Sequence, residues 1–117
     1  MNMKSKELAF KIAEMMLAKK ASGIVVMDLR KLTTMTDFFV ICSASSDIQV
    51  KSIADHIREE TAKLREKAWH NEGYSNLSWV LLDFVNVVAH VFLEDTRRFY
   101  NLEGLWADAV TSEVKDA

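Results

Sequence analysis

The chain has 117 residues, half of them hydrophobic, with 15 Lys and Arg against 17 Asp and Glu. That length fits one domain with a core that needs no disulfide or metal. The net charge of -2 argues against a general nucleic-acid binder, and three glycines with no proline exclude a glycine-rich phosphate loop.

Residues 4–20 have helical spacing, with Leu8, Ile12, Met15 and Met16 recurring among lysines and glutamates. No uninterrupted apolar run stands at the N-terminus, so no secretory signal is expected. No apolar run approaches the roughly 18 residues of a membrane span. The β-branched stretch Ile24–Leu29 reads as a buried strand, "RKLTTMTD" as a polar connection, and Phe38–Ser43 as a second buried strand. Ser46 with Gln49 has the form of a capping box. Val50, Ile53, Ala54, Ile57, Thr61 and Leu64 then make one stripe of a helix expected to end near Lys67. Ala68–Ser78 reads as a loop, with room for a short strand at its start. Trp79–Phe84 and Val87–Phe92 are strands around a tight connection. One or two short helices finish the chain, with Phe99, Leu102, Trp106 and Ala109 expected on one face and 112–117 expected to fray. The order α-β-β-α-β-β-α predicts a single α/β domain with a mixed β-sheet and helices packed on it.

The hairpin concentrates the chemistry. A two-residue turn at Val85-Asn86 sets Phe84 opposite Val87, Leu82 opposite Ala89 and Val80 opposite Val91, one wholly apolar face. The other face then holds Trp79, Leu81, Asp83, Val88, His90 and Phe92. Asp83 lies diagonal to His90, about 7–8 Å away by sheet geometry. Three readings stay open for this face: a satisfied Asp83–His90 pair beneath the C-terminal segment, a partner-binding surface anchored by Trp79, and an Asp/His catalytic pair. The turn itself is a puzzle. Such turns favour φ > 0 residues, which suits Asn86 and not the β-branched Val85.

Other candidates are weaker. Asp28, Asp37 and Asp83 stand near strand ends, where converging carboxylates can hold metal ions. His56, His70 and His90 have no zinc-ligand spacing with Cys42. Cys42, the only cysteine, excludes an internal disulfide, suits a reducing cytoplasm and reads as a core residue. "SASSD", Ser43–Asp47, precedes a helix start where an anion could sit, though ordinary capping suffices.

The succession "DLRKLTTMTDFFVICSASSDIQVKSIADHI", "WVLLDF", "AHVF" and "RRFYNLEGLWADA" closely resembles the Iojap-like ribosomal silencing factor family, from about Lys6 to Ala109. The matching positions include Asp28, Thr36-Asp37, Gln49, the "IADHI" of Ile53–Ile57, Glu72-Gly73, Trp79, Asp83, His90, Tyr100, Leu102-Glu103 and Leu105-Trp106. The resemblance implies a fold similar to nucleotidyltransferases without enzymatic activity, cofactor or metal. It implies binding to the large ribosomal subunit at large-subunit ribosomal protein fourteen. The small subunit is thereby kept from joining, and translation falls when nutrients are scarce. It also implies a cytoplasmic protein, often dimeric when free, with neither a membrane nor a specific nucleic-acid sequence as partner. Trp79, Leu81, Asp83, His90, Arg97, Tyr100 and Glu103 are the expected partner-binding residues. The alternatives are a metal-dependent nucleotidyltransferase-like enzyme using Asp28, Asp37 and Asp83, and a large-subunit maturation factor. The chain departs from the family pattern in three places. Ser43-Ala44-Ser45-Ser46 replaces Ser-Gly-Thr-Ser, Val85-Asn86 replaces Gly-Asp, and Gly104 stands where a basic residue is usual. That glycine is expected to weaken the last helix by about 1 kcal/mol relative to Ala.

Overall fold

A computed structural model describes residues 3–116. The chain runs α1 (Ser5–Ala18), β1 (Ser22–Asp28), β2 (Phe38–Ala44), α2 (Asp47–Lys63), β3 (His70–Glu72), β4 (Trp79–Asp83), β5 (Val87–Leu93), α3 (Glu94–Tyr100), α4 (Leu102–Leu105) and β6 (Val110–Glu113). The six strands form one sheet in the order β3-β4-β5-β2-β1-β6. Among the described residues only β2 and β5 run parallel, and the other pairings are antiparallel. This is the expected α/β domain with a mixed sheet.

Strand alternation sorts the side chains into two layers. Val26, Val40, Cys42, Val80, Leu82, Ala89 and Val91 face α1 and α2 and form the main core with Ile12, Met16, Ile53 and Ile57. On the opposite face Met27, Leu29, Ile41 and Phe92 form a smaller cluster, covered in part by Leu102, Trp106 and Ala109 from the C-terminal segment.

Both long helices stop short of their expected ends, at Ala18 and Lys63. Lys20 and Arg65 adopt φ 61° and 62°. After α1, the Ala21 N–H donates to Met16 O and the Lys20 N–H to Leu17 O. After α2, the Glu66 N–H donates to Thr61 O and the Arg65 N–H to Ala62 O. These are Schellman endings with lysine and arginine where glycine is usual. No sequence stop signal marked them, which is why the expected ends at residue 20 and near Lys67 overran. At the start of α2, Ser46 Oγ accepts from the Gln49 N–H, as expected. The reciprocal bond reaches one residue further back, from the Ser45 N–H to Gln49 Oε1.

All seven expected elements occur in the expected order, β3 and α4 fill the places left for a short strand and a second short helix, and the structure adds β6. The expectation of fraying across 112–117 is corrected at its start, because β6 pairs Ser112 with Val26 and Glu113 with Val25. Ala117 lies outside the described residues. Phe99 is also corrected. Asn101 turns left-handed at φ 47° between α3 and α4, so the two short helices are out of phase. Phe99 is left 81 % exposed, while Leu102, Trp106 and Ala109 pack inward.

Candidate functional site

The hairpin register is the expected one. Val80 pairs with Val91, Leu82 with Ala89 and Asp83 with Val88. The turn solves its puzzle the other way round. Val85, not Asn86, carries the positive φ of 75°. The Asn86 N–H donates to Phe84 O at 3.0 Å, a γ-turn centred on valine. Two contacts hold it. Asp83 Oδ1 accepts from the Val85 N–H at 2.7 Å, and Asn86 O accepts from the N–H groups of Asp37 and Phe38.

Asp83 is therefore used locally, and the Asp83–His90 pair, one of the three readings left open, does not form. His90 lies opposite Leu81 and is buried. Its Nδ1 accepts from the Trp79 indole N–H at 3.1 Å. With no compensating charge, burial pushes the imidazole pKa down to about 3. His90 Nε2 has no hydrogen-bond partner among the described residues.

Trp79 organises the rest. Its ring stacks on Phe92 at 4.8 Å and lies against Tyr100 at 4.9 Å. Tyr100 reaches it from α3 and keeps half its surface in solvent. The position of α3 is set by Arg97. Its guanidinium donates to Gly23 O at 2.7 Å and to Ser43 Oγ at 2.8 Å, and pairs with Glu103 at 2.9 Å. The Arg97 side chain is only 13 % exposed, so its donors serve the fold while Glu103 stays more open. Of the seven expected binding residues, Trp79, Leu81, Asp83 and His90 share one sheet face. Tyr100 touches that face, and Arg97 with Glu103 fastens the segment that carries it.

Beside Trp79 lies a hollow of about 250 Å³ between β2, β4, β5, the loop before β2 and Trp106. Thr33, Met35, Thr36, Phe39 and Val88 also line it. Sequence reading assigned these residues to a polar connection and to strands. The signal that was available is "TTMT", an apolar Met35 set among threonines.

The other candidates are placed apart. Asp28 pairs with Arg30, whose hydrogen bonds hold the carboxyl below its ordinary value. Asp37 accepts from the Ser5 hydroxyl at 2.8 Å. Asp83 sits in the turn. Among the described residues no group of three His, Cys, Asp or Glu side chains is placed to hold a metal ion. Cys42 is fully buried, and burial pushes its thiol up to about 12, so it is a core residue. No helix among the described residues is long and apolar enough to cross a membrane.

Comparisons with known proteins bear on the chain as a whole. The family model described as "Ribosomal silencing factor during starvation" matches residues 2–117. The ribosomal silencing factor of Halalkalibacterium halodurans is 39% identical over 83% of this chain and 83% of its own length. That of Bacillus subtilis is 38% identical over 82% and 81%. The chloroplast Iojap protein of maize is 39% identical over 81% of this chain and 41% of its own. A crystal structure of a Chromobacterium violaceum protein superposes with a TM-score of 0.87 at 28% identity, covering 98% of this chain and 96% of that one. One from Bacillus halodurans gives 0.76 at 35% identity, covering 92% and 95%. A match spanning nearly the whole sequence, with bacterial relatives and folds that agree over most of their length, makes this chain a member of the ribosomal silencing factor family.

Proposed function

We propose that this protein binds the large ribosomal subunit at large-subunit ribosomal protein fourteen and blocks small-subunit joining by occupying a surface that joining requires. Translation then falls under nutrient limitation. The observation that carries this reading is the Trp79–Tyr100 contact at 4.9 Å with Tyr100 half exposed, on a sheet face that also holds Asp83. It combines a half-buried aromatic anchor with a carboxylate suited to a basic partner. Occlusion needs affinity and no chemistry. The related proteins are named as silencing factors rather than enzymes, and we read this chain as a non-enzyme acting in the cytoplasm. Exposed Phe99, Leu105 and Val110 give the free protein apolar surface with which to pair as a homodimer.

The test is co-sedimentation with separated large and small subunits, with rejoining followed in the same gradients. The expected result is binding to the large subunit alone and reduced rejoining. Asp83→Asn keeps an oxygen for the Val85 N–H while removing the charge, and Tyr100→Ala removes exposed ring area. Each should weaken binding severalfold without unfolding the chain. Absence of large-subunit binding by the unaltered protein would overturn the proposal.

A further inference from the structure

The turn between β4 and β5 carries a residue that its conformation does not favour. Val85 adopts φ 75°, and the Asn86 N–H donates to Phe84 O across it at 3.0 Å. This is the rarer hand of γ-turn, and a β-branched residue is an outlier there. The fold needs the turn. Asn86 O accepts from the Asp37 N–H at 2.9 Å and the Phe38 N–H at 3.2 Å, which ties the hairpin to the start of β2. Asp83 Oδ1 holds the Val85 N–H at 2.7 Å. None of these bonds depends on the valine side chain. Glycine at position 85 could make them all without steric cost. The fold therefore explains the turn and leaves the valine side chain unexplained.

Packing does not explain it either. Val85 is 55 % exposed, and among the described residues it belongs to neither hydrophobic cluster of the sheet. Strained residues persist where the surrounding structure over-determines them, and they gather at sites that contact ligands or partners. The position of Val85 fits that pattern. It borders the same hollow as Leu81, Asp83 and Met35, and Met35 is 85 % exposed. Two open aliphatic side chains thus continue the face that holds Trp79, Leu81 and Asp83.

We propose that Val85 is a contact and specificity residue of the partner-binding face. Its isopropyl group, held outward by the strained turn, meets an apolar surface on the large-subunit protein, beside the basic group that Asp83 faces. The strain persists because binding uses the side chain that causes it. This assignment rests on the large-subunit reading given above.

The experiment compares the unaltered chain with Val85→Gly and Val85→Thr, by co-sedimentation with large subunits at graded concentrations and by urea unfolding. Val85→Gly relieves the strain and removes the contact, so stability and affinity should move in opposite directions. The urea midpoint should rise while large-subunit binding weakens roughly three- to tenfold, the order expected from burying half a valine side chain. Val85→Thr keeps the β-branched shape and hence the strain. It should weaken binding by a similar factor with no rise in midpoint. One variant frees the turn and the other does not, so a shared loss of affinity belongs to the apolar contact. Val85→Gly binding as tightly as the unaltered chain would overturn the proposal and leave the large-subunit reading standing. So would weakened binding by Val85→Gly with none by Val85→Thr, which would trace the effect to turn flexibility. If the unaltered chain fails to bind large subunits, the functional reading falls and this assignment falls with it.

Discussion

The Trp79 indole N–H donates to His90 Nδ1 over 3.1 Å, and this bond decides what both residues can do. It fixes the histidine tautomer. It also holds the tryptophan ring between Phe92 and Tyr100, at 4.8 and 4.9 Å. The partner of His90 is thus an aromatic donor and not the carboxylate two residues from the turn.

A pH dependence of stability follows. Burial holds His90 neutral in the folded chain, with a pKa near 3 against an ordinary 6.5. Between those values the unfolded chain binds one more proton at this site, so the contribution is full above about 6.5. It is lost as pH falls toward about 3, by up to about 1.4 kcal/mol per unit. Urea midpoints of the unaltered protein and His90→Phe across this range check it. The variant should show the shallower loss, because the other carboxylate and histidine contributions are common to both.

Val85 at φ 75° places a β-branched side chain in a region that costs about 1–2 kcal/mol for a non-glycine residue. Val85 is exposed, so little packing is lost on truncation. Val85→Gly should raise stability by about 1 kcal/mol, measured as a higher urea midpoint with an unchanged slope.

Two glycines are held by contacts rather than by propensity. At Gly73, φ is 97° and an added Cβ would sit 1.9 Å from Trp79 O. Gly73→Ala should cost on the order of 3 kcal/mol or more, seen as a depressed thermal midpoint. At Gly104 an added Cβ would meet the Asn101 amide at 2.3 Å, and that side chain caps α4 through the Gly104 N–H. Gly104→Ala should therefore not deliver the roughly 1 kcal/mol that helix propensity promises. Thermal melts should show it neutral or destabilised.

Arg97 gathers Gly23, Ser43 and Glu103 around one guanidinium. Arg97→Ala should destabilise by on the order of 2 kcal/mol and loosen α3 and α4 before the sheet. Hydrogen exchange should speed up at the backbone amides of Leu102–Leu105 while β2 and β5 stay protected.

The hairpin was legible because both of its faces have consequences in sequence. Val80, Leu82, Ala89 and Val91 had to be buried together once alternation was granted, and a one-residue slip would have exposed all four. Of the edge strands, β3 was legible only as room for a short strand at the start of the Ala68–Ser78 loop, and β6 was not legible. Both β3, "HNE", and β6, "VTSE", are exposed along their length. Backbone hydrogen bonds to a neighbouring strand define them, and no apolar pattern marks them. Phe99 was misplaced for a related reason, since a single left-handed residue, Asn101, resets the helical phase.

Sequence alone determined the layered α/β order, the buried strands, the hairpin register and the family, because periodicity and motif spacing are local properties. Only the tertiary structure decided which partner His90 takes, that Arg97 serves the fold, and that a lined hollow lies beside Trp79. Each of these depends on side chains brought together from distant segments. His90 meets Phe39 of β2 at 4.5 Å, and Arg97 reaches Gly23 across 74 positions of chain. Composition and spacing carry no information about such distances until the sheet is assembled.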